Sequence, residues 1–240
     1  MNAFRSRRTT FSTALAALLI AGATAHAQLP AGGAPGGMNA AFIKLFGSVT
    51  TFTANVEVQV VDSSQNQTRR MPLNFAALDG KIRVELDVAQ IKSQDLSAAQ
   101  VEQLKEAGMN KIVSIIRPDK KASYVIYPGL QNYAIMPMPK EEAAGLDKNL
   151  KLEKTALGRE TIDGHACVKN RVLVKDGENV ILEATTWNAT ELKDFPVQIE
   201  TKEQGDTSTM RFTHVQFARP DAKQFEPPAG YKLVSGSMPH

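Results

Sequence analysis

The stretch Phe52–Val60 reads FTANVEVQV, and its pattern decides the fold. Phe52, Ala54, Val56, Val58 and Val60 fall on one side of a period of two; Thr53, Asn55, Glu57 and Gln59 fall on the other. A helix, with its period of 3.6, does not sort residues this way. The alternation predicts a strand with one buried and one solvated face, the habit of antiparallel sheets. Met71, Leu73 and Phe75 repeat it downstream, and Ile82, Val84 and Leu86 repeat it again. Between those two runs, Asp79-Gly80 offers two residues that tolerate the positive φ of a tight hairpin.

The rest of the chain extends the pattern. Ser97 and Gln100 fit a capping box, and Val101, Leu104 and Gly108 lie on one stripe, which predicts a helix over 97–109. Then come IVSIIR, the turn PDKK, ASYVIY, the turn PGLQ and NYAIM. A polar stretch at 140–148 reads as a helical turn. After it, TIDGHACVKN (161–170) places a turn at Asp163-Gly164 and a strand beyond it. Asp176-Gly177 and Gly205-Asp206 mark two later hairpins. Ten or eleven strands in mostly up-and-down order, with two or three helices, exclude a parallel α/β sheet, which needs a helix after each strand. The expected fold is mainly β (α+β): one strongly curved antiparallel sheet forming an open half-barrel, its apolar concave face covered by the helices.

The amino terminus has a different character. Arg5, Arg7 and Arg8 precede an apolar run, Ala14–Ala23, and Ala25-His26-Ala27 is a small-x-small cleavage pattern. The run is too short to cross about 30 Å of hydrocarbon, so residues 1–27 read as a cleaved signal peptide and the protein as periplasmic or secreted. The export route, general secretory or twin-arginine, stays open. No cysteine follows the cleavage site, which argues against an amino-terminal lipid anchor. Residues 28–37, QLPAGGAPGG, form a flexible linker, and 38–240 form a single domain. Within it, MNAAFIKLF (38–46) predicts a short helix with Phe42, Leu45 and Phe46 on one side. No later segment is apolar for long enough to span a membrane.

Without the three signal arginines the chain carries 25 basic and 25 acidic side chains, although the whole sequence has a net charge of +3. A balanced surface argues against nucleic acid, whose phosphates call for a basic one. The single cysteine, Cys167, cannot form an internal disulfide.

Several motifs together resemble a known group. They are SVTTFTANVEV, IIRPDKKASYVIYPGLQNYAIMP, LGRETIDGHACVKNRVLV, TTWNATELKDFPVQIE and FARPDAKQFEPPAGY. The chain resembles, over roughly residues 38–234, exported bacterial proteins that share the fold of the LolA/LolB lipoprotein carriers. The resemblance implies a half-barrel whose cavity takes lipid or lipoprotein acyl chains. A sensor relative, RseB, implies the alternative: an envelope module that binds a protein partner. Strand alternation nominates Phe52, Met71, Leu73, Phe75, Val84, Ile135, Met136 and Trp187 as cavity-wall residues.

The residues give little support to catalysis. His165 and Cys167 share one face of a strand, but residues two apart on a strand lie about 6–7 Å apart at the backbone, too far for direct proton transfer. Lys169 and Arg171 continue that face and would lower a thiol pKa, which leaves a redox-sensitive thiol as the alternative to a structural one. Met136 and Met138 offer thioethers of the kind that suit Cu(I), though such residues more often fill gaps in an apolar wall. No nucleophile elbow, phosphate loop or HExxH helix is present. The reading is a non-enzymatic binding protein without cofactor or metal.

Overall fold

The computed structural model describes residues 38–234, apart from 63–66, 147 and 204. The expected signal peptide and linker lie outside the described residues. In chain order the elements are α1 (Met38–Lys44), β1 (Thr51–Asp62), β2 (Gln67–Leu78), β3 (Lys81–Asp87), α2 (Ala98–Glu106), β4 (Lys111–Arg117), β5 (Ala122–Tyr127), β6 (Asn132–Pro137), α3 (Lys140–Leu146), β7 (Lys151–Ile162), β8 (His165–Asp176), β9 (Asn179–Ala189), β10 (Phe195–Glu203), β11 (Asp206–Gln216) and β12 (Lys232–Leu233). The twelve strands form one sheet in the order β12-β6-β5-β4-β3-β2-β1-β11-β10-β9-β8-β7. Every pairing is antiparallel except that of the two-residue β12 with β6. This short strand takes the total past the ten or eleven expected.

Turn chemistry fixes the register. Asp79-Gly80 (φ 49° and 84°) and Asp163-Gly164 (φ 48° and 85°) both put two residues at positive φ, which matches the twist of the strands they join. The loops PDKK and PGLQ are alike: a 3-10 turn opened by proline and closed by a residue in the left-handed region, Lys121 (φ 48°) or Gln131 (φ 50°). Asp176 pairs with Asn179, so the next turn is Gly177-Glu178, one residue later than the sequence suggested.

Connectivity forces the curvature. The chain leaves β6 near one end of the sheet and re-enters at β7, the other edge, ten strand spacings away. In a flat sheet that distance would be about 48 Å. Residues 138–150 must bridge it, and seven of them are helical, so they reach only about 30 Å. The sheet therefore curls toward this crossover into an open half-barrel, and α1 packs against α3 on the concave side.

The concave face carries the main core. Phe52, Ala54, Val56 and Val58 of β1 face the same way as Phe75, Leu73 and Met71 of β2 and as Ile82, Val84 and Leu86 of β3. They join Phe212 and Met210 of β11 and Ile199 of β10 in one cluster. Toward the β6 edge the outer face is buried as well. Val113, Ile115, Tyr124 and Ile126 pack there against Phe225 from the carboxy-terminal segment. Arg117 holds that segment by donating to the Phe225 carbonyl (3.0 Å) and by pairing with Glu226.

The three α-helices of the described residues lie on the concave side, but they do different work. Ser97 caps α2 as expected, accepting from the Gln100 amide (3.3 Å) while the Gln100 side chain accepts from the Ser97 amide (2.9 Å). No residue of α2 is buried. Its stripe rests at the rim, where Leu104 packs on Val88, Ile112, Val125 and Tyr127. Filling the half-barrel falls to α1.

Candidate functional site

The concave side of the half-barrel is built by strands and plugged from above. Helix α1 and the turn after it present Phe42, Leu45 and Phe46, which are 1%, 1% and 5% exposed. Phe46 is the hub of a cluster of rings, with centroids 5.0 Å from Phe52, 5.3 Å from Phe42, 5.6 Å from both Phe195 and Phe212, and 6.1 Å from Phe75. Most of these contacts are edge-to-face or tilted, the arrangements that the ring quadrupoles favour. Gly47 (φ 61°) ends the plug, in a conformation that favours glycine.

A buried carboxylate ties the plug down. Glu142 of α3 accepts hydrogen bonds from the backbone amides of Met38 (2.9 Å) and Asn39 (2.8 Å). Amides in the first turn of a helix have no partner within it, so an acid there satisfies them and complements the helix dipole. The crossover that curves the sheet therefore also seats the plug.

One small pocket beside α1, lined by Ile43, Phe46, Phe52, Phe75, Ala77 and Ile82 among others, has a volume of about 10 Å³. That is at most room for one water, whereas pockets for small molecules run to about 300–1,000 Å³. In this conformation the half-barrel is occupied by its own side chains.

Six of the eight wall residues read from the sequence are buried in one cluster: Phe52, Met71, Leu73, Phe75, Val84 and Trp187. Ile135 and Met136 are not among them. Ile135 and Met136 are both 41% exposed on β6, paired with Tyr124 and Ser123 and therefore on opposite faces. Consecutive residues of a strand cannot line one wall. Trp187 is 4% exposed but out of step with its strand neighbours. Leu182, Ala184 and Thr186 take the concave phase of β9, and Trp187 pairs with Lys169 and Gln198 in the opposite phase. Its Nε1–H donates to Glu160 (2.6 Å), and the Lys169 ammonium lies over the ring, 4.9 Å from the centroid. Hydrogen bonds from Lys169 and from this indole hold the Glu160 carboxyl below its ordinary pKa. Sequence reading missed Phe46, Phe195 and Phe212 as wall residues, although Phe212 continues the alternation of Met210.

The cysteine is structural in its surroundings. Its thiol donates to the His165 carbonyl (3.3 Å), and burial pushes its pKa up. The His165 ring turns instead to Glu191, at 2.7 Å, and that hydrogen bond lowers the Glu191 carboxyl. A shallow groove of about 540 Å³ runs past Cys167 between Arg159, Thr161, Val168 and Thr190. Met138 packs against the core while Met136 is exposed. Among the described residues no three His, Cys, Asp or Glu side chains are grouped closely enough to hold a metal ion. No described helix is long and apolar enough to cross a membrane.

No family model matches the chain, and no curated protein matches it in sequence. It is similar to several solved structures. A LolA superfamily protein from Nitrosomonas europaea is 9% identical over 79% of this chain and 96% of that one, with a TM-score of 0.38. The lipoprotein LppX from Mycobacterium tuberculosis is 13% identical over 73% and 93%, with a TM-score of 0.39. The structure of the MucA/MucB complex from Pseudomonas aeruginosa gives 10% identity over 80% of this chain and 61% of that one, with a TM-score of 0.38. Likenesses this distant say nothing about what the chain binds.

Proposed function

We propose that this is an exported, non-catalytic binding protein, periplasmic or secreted, that recognises a protein partner in the cell envelope while its half-barrel stays closed. The observation that carries the reading is the plugged concave face. Phe42, Leu45 and Phe46 are buried in the main cluster and the pocket beside them measures only about 10 Å³, which supports recognition at the outer surfaces. Non-catalytic action fits a chain whose one thiol is buried and whose His165 is committed to Glu191.

A second reading, a carrier of lipid or lipoprotein acyl chains, draws on one specific feature. The plug is a single seven-residue helix seated on an apolar wall. Swinging it out would expose Phe52, Met71, Leu73, Phe75 and Val84 as a ready lining.

Mass spectrometry of an organic extract of the purified protein separates the two, together with titration by a fluorescent fatty acid. A protein free of lipid, and silent in the titration, supports the closed module. A stoichiometric co-purified lipid would overturn it and establish the carrier.

A further inference from the structure

The two ends of the sheet are finished differently. At one, the two-residue β12 covers the start of β6, and Pro137 at the close of β6 has no amide to donate. At the other, β7 pairs only with β8 among the described residues, and ten of its twelve residues are exposed. Alternate amides and carbonyls of β7 therefore point away from the sheet without a ladder partner, which makes the edge a template for one more strand. A bulge divides that template. Ala156 lies opposite Asn170 and Gly158 opposite Lys169, so Leu157 is the extra residue, 54% exposed. The bulge keeps one flat strand from running along the whole edge and leaves 158–162 as a short open segment.

The groove of about 540 Å³ adjoins that segment. Arg159 lies opposite Val168 and Thr161 opposite Ala166, so four of its lining side chains share one face of the β7–β8 hairpin. Thr190 supplies another side, at the start of the 3-10 turn Thr190–Leu192. This turn is fastened at three points. The Thr190 hydroxyl donates to the Ala166 carbonyl (3.4 Å), Glu191 bonds His165 (2.7 Å), and Asp194 pairs with Lys154 of β7 (3.1 Å). The groove is therefore held in shape by its own contacts.

Its charges are committed except for one. Glu160 is held by Lys169 and by the Trp187 indole, Glu191 by His165, and Asp163 by Arg211 (3.5 Å). Arg159 forms no ion pair with a described residue. An open ladder beside a cationic groove is complementary to an extended peptide that carries an acid: backbone hydrogen bonds supply affinity, and the groove selects the side chain.

We propose that residues 158–162 of β7 accept an extended acidic segment of a partner protein as an added strand, with its Asp or Glu paired to Arg159 in the groove. The site rests on the reading of the protein as a partner-binding module and gives that partner its chemistry.

The test pans a displayed library of short random peptides on the intact protein. Enriched peptides rich in β-branched residues, with Asp or Glu at a shared position, are the expected result. In fluorescence anisotropy, Arg159→Glu should weaken the recovered peptide about tenfold, and exchanging the peptide's acid for Lys should restore binding to that variant. Arg159 is exposed, and an unchanged circular dichroism spectrum will show that the fold survives. Hydrogen exchange followed by NMR should show alternate amides within 158–162 gaining protection when the peptide binds, a pattern that docking through side chains alone does not give. No enrichment, enriched peptides without an acid, undiminished binding to Arg159→Glu, or protection elsewhere would each overturn the proposal. So would a dimer of the protein alone that protects the same amides, since a second copy would then fill the edge. Lipid extraction reports separately. A lipid-free protein that enriches no acidic peptide refutes this site and leaves the partner-binding reading standing, whereas a co-purified lipid refutes that reading whatever the peptides do.

Discussion

Phe46→Ala is the sharpest challenge to the plugged half-barrel. The ring is 5% exposed and touches five others within 6.1 Å. Removing it deletes the transfer contribution of a buried phenyl group and leaves a cavity. Phe→Ala changes in cores cost about 3–5 kcal/mol, and the upper part of that range applies where the surroundings cannot collapse. Here one side of the cavity is the wall formed by β1, β2, β10 and β11, which is fixed by its ladders, so about 4–5 kcal/mol is expected. A urea slope of roughly 2–3 kcal/mol per molar suits a domain of this size, and the midpoint should therefore fall by about 2 M. The same variant should begin to bind a fluorescent fatty acid, because the new void is apolar and lined by Phe52, Phe75, Phe195 and Phe212. Phe46→Leu should cost much less. A midpoint lowered by under about 0.5 M, with no gain in probe binding, would refute the reasoning, since the ring would then not be holding the half-barrel closed.

Other perturbations test separate parts. Glu142→Ala leaves the Met38 and Asn39 amides without their acceptor; a loss of about 1–3 kcal/mol and faster hydrogen exchange confined to residues 38–46 are expected. A Cβ on Gly129 would lie 2.4 Å from the Gly108 carbonyl oxygen, so Gly129→Ala must push the end of α2 away from the β5–β6 turn and cost roughly 1–3 kcal/mol in thermal unfolding. The hydrogen bond from Arg117 lowers Asp119 from 3.8 to about 2. The folded chain thus binds this proton more weakly than the unfolded one, and the stabilisation is complete above about pH 4 and lost as pH falls toward 2. Asp119→Asn should flatten stability across that window in acid titrations followed by circular dichroism. Cys167 should react with a thiol reagent far more slowly in the native protein than in urea at the same pH, because burial both shields the thiol and raises its pKa.

The parts of the fold legible in the sequence were those governed by local rules. Asp163-Gly164 declared a hairpin because few residue pairs accept two positive φ angles in succession, and the structure has both. That turn also settles TIDGHACVKN as a strand pair, with His165 aimed at Glu191 instead of the thiol. The cavity wall was less legible. Phase could have set apart Trp187, which is out of step with Leu182 and Ala184, and adjacency could have split Ile135 from Met136. The size of the void could not be read at all. It depends on how Phe42 and Phe46 fit among four rings from β1, β2, β10 and β11, and those strands become neighbours only through the sheet order. Burial of β4 on both faces had a signal in the unbroken apolar run of IVSII, but nothing local named Phe225 as its cover.

The strand order has a further consequence for how the molecule assembles. β1–β6 form one meander and β7–β11 another, and β1 meets β11 along a single seam, with Asn55 opposite Thr213. Each meander can form from contacts close in sequence, whereas the seam must wait for the whole chain, which makes it the natural slow step of folding. Once formed, it holds the halves together independently of the crossover. Cutting the backbone between Lys148 and Asn149 would then leave two fragments with matching edges, able to find each other and rebuild the sheet without a covalent link.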